Sequence, residues 1–376
     1  MPGGFYQKEK CYRKKVINID QVILAHHLFQ IQTSMELKIR RLLVTGGAGF
    51  IGSHFIKKSL KQGFEILNFD ALTYAANPNN LCEIQNHSNY TFIKGNVCNL
   101  DKLQGALSEF APDAVIHFAA ETHVDNSITK PAEFIKTNIE GTSILLQVAL
   151  DYWQNLEDTQ NFKFIHVSTD EVFGSLLDKG HFTETTPYSP NSPYSASKAS
   201  SDLLVKAWNK TYDFPSIITN CSNNFGTHQY PEKLIPKTIH SILEGQDIKV
   251  YGKGKNIRDW LHVNDHVDAL LLLLRKGKIG EQYLIGGGTE RTNIALVHEI
   301  CEIIDRIIPT KNESKKLIRF VPDRLGHDYR YAIDPKKMKN ELNWEPKIDF
   351  KVGLEQTIEW YLTNFEWWKN TKRHFQ

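Results

Sequence analysis

The chain has 376 residues, of which 41% are hydrophobic and 23% charged, and a formal net charge of +2 at pH 7. Those values are ordinary for a globular protein, and the basic residues are dispersed rather than striped, which argues against nucleic acid as a partner. No segment supplies the uninterrupted apolar run of about 18 residues that a membrane span requires, so no membrane role is expected.

Residues 1–38 open with a basic stretch (Lys8, Lys10, Arg13, Lys14, Lys15) and continue into a modest apolar run from Val22 to Ile31. Asp20, Gln21, His26 and His27 interrupt or flank that run, which spoils it as a signal peptide, and Glu9 and Asp20 argue against a transit peptide. The segment is expected to be a disordered extension, or to precede a true start at Met35. Five cysteines, Cys11, Cys82, Cys98, Cys221 and Cys301, are widely spaced with no C-x-x-C pair. They fit reduced thiols in a cytoplasmic protein, and they do not fit a metal site.

Arg41-Leu42-Leu43-Val44-Thr45 reads as a buried parallel strand, and Gly46-Gly47-Ala48-Gly49-Phe50-Ile51-Gly52 follows at once. The glycines satisfy G-x-x-G-x-x-G from Gly46 and G-x-G-x-x-G from Gly47. Small residues here let the backbone turn tightly and approach a pyrophosphate, which the N-terminus of the next helix then stabilises. That helix is amphipathic (Ile51, Phe55, Leu60), and Glu65 to Asp70 forms a second strand ending in an acid. Asp70 stands near the spacing at which a carboxylate accepts hydrogen bonds from an adenosine ribose. Its charge would repel a 2′-phosphate, so NAD is favoured over NADP. Further strands are expected at Thr91 to Ile93, Ala114 to Phe118 and Phe164 to Ser168, with helical patterns between them, as in a doubly wound α/β sheet. Ala119 and Ala120 are small enough to let a cofactor pass.

Val167-Ser168-Thr169-Asp170-Glu171-Val172-Phe173-Gly174 and Pro193-Tyr194-Ser195-Ala196-Ser197-Lys198 place a hydroxyl, two acids, a phenol and an ammonium within a short span. Tyr194 and Lys198 lie four residues apart and share a helix face. The ammonium could therefore lower the phenol pKa and make tyrosinate a usable base, as hydride transfer at a carbinol needs. Asp170 and Glu171 follow a strand, at the end where parallel sheets place ligands. Two carboxyls beside an oxidisable carbinol can remove water from it. Alone, a Tyr-x-x-x-Lys spacing is weak evidence and paired acids after a strand are more often a turn or a helix cap. Their joint occurrence with a nucleotide site favours the chemistry.

From about residue 40 to 362 the chain resembles the extended short-chain dehydrogenase/reductases, and within them the dTDP-glucose 4,6-dehydratases. The motifs that carry the resemblance are Thr45 to Gly52, Asp70 to Ala75, Ala119 to Asp125, Ser168 to Val172, Ser192 to Lys198, Asn220 to Gly226, Pro231 to Pro236, Arg258-Asp259-Trp260 and Asp323 to Asp328. The Asp-Glu pair after Thr169 separates this group from 4-epimerases and decarboxylases of the same fold. The resemblance implies a Rossmann-type parallel sheet over 39–215 carrying NAD and the catalytic residues. It further implies a smaller sugar-nucleotide-binding region over 216–376, with some segments returning to the sheet.

For catalysis the resemblance implies Thr169, Asp170, Glu171, Tyr194 and Lys198. Thr169 would hold the sugar 4-hydroxyl, Tyr194 would take its proton, Glu171 would remove the C5 proton and Asp170 would protonate the departing C6 hydroxyl. Tightly bound NAD would be recycled each turnover. The cofactor would be held by Gly46, Gly49, Phe50, Ile51, Gly52, Asp70, Leu72, Thr73, Asn96, Val97, Phe118, Ala119, Ala120, Thr122, Thr137 and Asn224, with Tyr194 and Lys198. dTDP-glucose would meet Thr122, Thr169, Asn223, Lys233, Leu234, Lys249, Tyr251, Arg258, Asn293, Asp323 and His327. Asn223 and Asn224 could instead cap a helix, and Arg258 could pair with Asp259 on the surface. A homodimer through helices near the catalytic domain is also implied.

Asn96 and Asn99 stand where the family commonly has Asp, Asn126 replaces a frequent Arg, and Lys249 a frequent Pro near the base pocket. An amide oxygen at Asn96 can still accept from an adenine amino group. The alternatives are a dehydratase of another nucleotide sugar such as UDP-glucose and, remotely, a non-catalytic NAD-binding sensor. Trp367-Trp368 is expected to pack rather than to bind ligand.

Overall fold

The computed structural model describes residues 39–309, 313–365 and 367. The N-terminal extension with Met35, and Trp368, lie outside the described residues. The strands in chain order are β1 (Arg41–Thr45), β2 (Glu65–Asp70), β3 (Tyr90–Lys94), β4 (Ala114–His117), β5 (Lys163–Thr169), β6 (Ser216–Cys221), β7 (Asn223–Phe225), β8 (Ile248–Tyr251), β9 (Ile257–His262), β10 (Gln282–Ile285), β11 (Glu290–Thr292) and β12 (Ile318–Val321). Seven of them form one sheet in the order β10-β6-β5-β4-β1-β2-β3. Every neighbouring pair in it is parallel.

The central strands of this sheet read as near-continuous apolar runs because helices cover both faces. Leu42, Leu43 and Val44 of β1, Val115 and Ile116 of β4, and Phe164 and Ile165 of β5 are all fully buried. On one side they pack with Leu103 and Leu107 of helix Leu100–Phe110 and Leu145, Leu146 and Ala149 of helix Gly141–Gln154. Connections reverse direction between β1 and β4, and a crevice opens there at the carboxyl ends of the strands.

Helix Pro193–Tyr212 is started by its sequence. Ser192 accepts from the Ser195 backbone, Ser195 returns the bond to Ser192, and Pro193 occupies the first turn, a combination that fixes a helix origin to one residue. The phase so set buries Tyr194 and Lys198 against the ends of β5 and β6.

β6 and β10 come from beyond residue 215 and complete the large sheet. The rest of the C-terminal half is built from the β11-β9-β7 sheet, the β12-β8 pair and helices Leu234–Leu243, Asn293–Ile307 and Phe350–Thr363. Its core gathers Phe225, Ile235, Trp260, Ile300, Phe350 and Ile358. Arg330 joins the two halves: its guanidinium grips Glu290 at 2.5 and 2.7 Å and donates to the carbonyls of Leu177 and Gly180. Trp367 packs on Trp360 and His228 and donates to Asn80 at 3.0 Å. No helix among the described residues is long and apolar enough to cross a membrane.

Candidate active site

The glycine loop is shaped by close backbone approach. Gly46 has φ 71°, and a Cβ there would lie 2.6 Å from the Ala119 nitrogen; a Cβ on Gly52 would lie 2.4 Å from the Gly46 carbonyl oxygen. Gly49 begins helix Phe50–Lys61, and no side chain caps it. The first-turn N–H groups therefore face the cleft without a side-chain acceptor, the arrangement that suits a diphosphate. Asp70, at the end of β2, accepts from the Ala48 nitrogen at 2.8 Å and the Leu72 nitrogen at 2.7 Å. Burial pushes its pKa up, and those two backbone donors oppose the shift. Each oxygen keeps a lone pair for a ribose hydroxyl.

One long cleft is lined by Gly46, Gly49, Phe50, Ile51, Gly52, Asp70, Thr73, Asn96, Val97, Phe118, Ala119, Ala120, Thr122, Thr137, Thr169, Tyr194, Lys198 and Asn224. Leu72 is outside that lining: its backbone sits at φ 54° and serves to hold Asp70. The Asn96 side-chain oxygen accepts from the Cys98 nitrogen at 2.8 Å and has its second lone pair left. Asn99 caps helix Leu100–Phe110 through the Lys102 nitrogen, so its departure from the family pattern is a matter of local structure.

The five candidate catalytic residues converge where β5 ends. Thr169 is its last residue, and Asp170 and Glu171 open a short 3-10 turn whose start Thr169 caps through the Glu171 nitrogen at 3.3 Å. Asp170 is 1% exposed, and its Oδ2 has no hydrogen-bond partner among the described residues. Burial and the charges of Glu171 and Asp259 push its pKa well above the ordinary carboxylate value, against Arg258 and Thr169. Glu171 is also raised by burial, while Lys233, Arg258 and Arg324 pull it down. The two acids thus face different surroundings: Asp170 is sealed and pushed toward its protonated form, whereas Glu171 lines the second cleft and faces three cations.

The Tyr194 phenol is pushed well above its ordinary pKa by burial and by Glu171, Cys221 and Asp170; Thr169, hydrogen-bonded to it, opposes them. Lys198 stands one turn after Tyr194 on the same helix, as the spacing predicts. Its ammonium is turned to the Val167 carbonyl at 3.0 Å and is itself lowered by burial. Burial is the largest influence on the phenol, ahead of Glu171, Cys221 and Asp170. Asn138, in the π-helical turn Ile135–Glu140, donates to Ser197 at 2.8 Å and accepts from the Glu121 nitrogen, which fixes the wall between Thr122 and the tyrosine.

A second cleft opens from the same point into the C-terminal half and is lined by Glu171, Asn223, Lys233, Leu234, Lys249, Tyr251, Arg258, Asn293, His327 and others. Asn223 and Asn224 cap no helix; they form β7, paired with β9. Arg258 is 8% exposed and makes no surface pair. It donates to the carbonyls of Ile257, Asp328 and Tyr329 and stacks over Tyr331 at 4.2 Å. Asp259 turns away to accept from the Gly287 and Thr289 nitrogens. Asp323 is outside the lining and holds His327 at 2.6 Å. Lys233 donates to the Thr122 carbonyl at 2.9 Å, bridging both clefts.

Two residues that sequence reasoning passed over are prominent here. Arg324 forks onto Asp125 at 2.6 and 3.1 Å, Tyr251 donates to the same carboxylate at 3.1 Å, and the guanidinium lies over the Tyr251 ring. Both fall inside the family motifs, Asp125 at the end of one and Arg324 within another, so the available signal was their charge within those segments.

A family model described as GDP-mannose 4,6 dehydratase matches residues 43–357. The chain is 50% identical over 329 residues to a dTDP-glucose 4,6-dehydratase of Xanthomonas campestris, covering 86% of this chain and 94% of that one. A crystal structure of dTDP-glucose 4,6-dehydratase from Bacillus anthracis in complex with NAD superposes with a TM-score of 0.79 at 47% identity, over 88% of this chain and 99% of that one. The dTDP-glucose 4,6-dehydratase of Streptomyces venezuelae, solved with NAD bound, gives a TM-score of 0.82 at 42% identity, over 88% of this chain and 99% of that one. With the fold, the glycine loop and the Asp-Glu pair in place, the chain belongs to the nucleotide-sugar 4,6-dehydratases, beside the dTDP-glucose 4,6-dehydratases.

Proposed function

We propose that the protein is an NAD-dependent dTDP-glucose 4,6-dehydratase, a hydro-lyase that converts dTDP-glucose to dTDP-4-keto-6-deoxyglucose and water in the cytoplasm. The observation that carries this reading is the Asp170-Glu171 pair directly after Thr169: Thr169 and Tyr194 line the first cleft, Glu171 lines the second, and Asp170 is buried between its two neighbours in sequence. The uncapped helix at Gly49, the small loop residues and Asp70 fit a dinucleotide. Held there, NAD would supply a hydride acceptor for C4 and a hydride donor for C6.

Around that exchange the protein's groups move protons. Thr169 orients the 4-hydroxyl and Tyr194 takes its proton. A ketone at C4 acidifies the C5 hydrogen, and Glu171, the acid nearer to cations, removes it. Asp170 keeps its proton through burial and the neighbouring charges, and delivers it to the C6 oxygen as the C–O bond breaks. Arg258 and Lys233 supply positive charge in the sugar-nucleotide cleft, where a diphosphate would need it.

Substrate carrying deuterium at C4 tests the sequence. The label should reappear at C6 of the product while C5 acquires solvent hydrogen, as read by mass spectrometry. Loss of the label to water, or a product retaining its C6 oxygen, overturns the reading. Turnover of UDP-glucose in parallel tests the base preference.

A further inference from the structure

Behind the catalytic pair is a sealed polar cluster that the mechanism above leaves unused. Asp202 stands on helix Pro193–Tyr212 one turn beyond Lys198 and is 0% exposed. Its Oδ2 accepts from the Tyr188 hydroxyl and the Asn220 amide, each at 3.0 Å. Its Oδ1 lies 3.1 Å from Nε2 of His166, also fully buried, in an electrostatic contact that is not an aligned hydrogen bond. The same Asn220 amide reaches the Thr169 carbonyl at 3.0 Å, and Asn220 Oδ1 accepts from Gln282 at 2.7 Å. Asp202 is therefore one bridging side chain away from the end of β5, and one helical turn from the lysine.

An ammonium in a dry interior is strongly disfavoured unless an opposite charge answers it. The Lys198 ammonium meets only a neutral carbonyl directly. The groups that face it are His117 from β4, His166 from β5, Cys221 from β6 and Asp202 from its own helix. Burial lowers both imidazoles, with Asp202 opposing it at His166, and pushes the Cys221 thiol up to about 12. Asp202 is held below the ordinary carboxylate value despite its burial, by His166 and Lys198; Lys206, further along the helix, also faces it. It is the carboxylate among these groups, and the direction of its shift favours the charged form.

We infer that Asp202 is a positioning residue of the catalytic pair, answering the Lys198 ammonium from behind and fixing the Thr169 backbone through Asn220. The kinetic consequence rests on the dehydratase reading; the electrostatic one does not.

Asp202→Asn keeps the shape and removes the charge. In the NAD-loaded enzyme turning over dTDP-glucose, the alkaline limb of the kcat profile should move down by about one to three pH units, the effect of a close opposite charge. KM should stay near wild type, because Asp202 is outside the sugar-nucleotide cleft, and Asp202→Glu should restore the limb. A second arm needs no turnover. Asp202→Asn leaves a buried ammonium unanswered, so the double variant Lys198→Met/Asp202→Asn should melt above Asp202→Asn alone, including where the single variant fails to fold. An unmoved alkaline limb in Asp202→Asn overturns the proposal, as does a double variant no more stable than the single one. Wild-type protein that does not dehydrate dTDP-glucose refutes the dehydratase reading instead, and the melting comparison then decides the role of Asp202.

Discussion

Replacing Asp170 by asparagine keeps the side chain's size and removes its ability to ionise. In acid, below the ordinary value of 3.8, the carboxyl is protonated in both the folded and the unfolded chain and contributes no difference. As pH rises, the unfolded chain releases the proton, but the buried carboxyl beside Glu171 and Asp259 retains it. Folding stability then falls until the raised folded-state value is passed. The loss is about 1.4 kcal/mol for every pH unit between the two values, and asparagine has no such slope. Asp170→Asn should therefore melt like wild type in acid and above it at neutral pH, by about 2 °C per kcal/mol for a chain of this length. An amide cannot deliver the proton, so turnover should fall by about two to four orders of magnitude while C5 exchange with solvent persists. Thermal melts across pH, paired with single-turnover kinetics of the NAD-loaded protein, measure both effects. A variant no more stable than wild type at neutral pH would mean that Asp170 is ionised in the folded protein, and its role as the acid would fall.

Glu171→Gln removes the C5 base at nearly constant volume. The variant should oxidise C4 and stall, seen as persistent absorbance of reduced nicotinamide without C5 exchange; wild-type turnover would refute the assignment. Tyr194→Phe should slow C4 oxidation by about two to four orders of magnitude, the contribution of a positioned general base, measured in the same single-turnover assay. Gly52→Ala forces a methyl to 2.4 Å from the Gly46 carbonyl oxygen, a backbone atom with no easy retreat. It should lose about 1 to 3 kcal/mol of stability and most of the nicotinamide that copurifies, read by melting and by release on denaturation.

The features written locally in the chain are legible in its residues. β1 and β2 fall on the predicted bounds, because a buried strand feeding a glycine loop has one apolar register and an abrupt end. β5 runs one residue further at each end than its apolar run. What cannot be read is what distant segments do to one another. Asn223 and Asn224 look like caps until β9 lies beside them. Arg324 reaches Asp125 across 199 positions. Lys198 has the spacing that places it on the Tyr194 face, and its ammonium donates to the Val167 carbonyl of β5 at 3.0 Å. Spacing predicts a shared face; it does not predict which atom waits on the far side.

Asn223, Asn224, Gln229, Glu232 and Lys233 belong to the walls of both clefts. One stretch of backbone is thus common to the cofactor site and the sugar-nucleotide site. A ligand in either cleft meets this stretch, so any factor by which one changes the affinity of the other must be returned in equal measure. A substitution confined to this segment should therefore alter the binding of cofactor and of sugar nucleotide together.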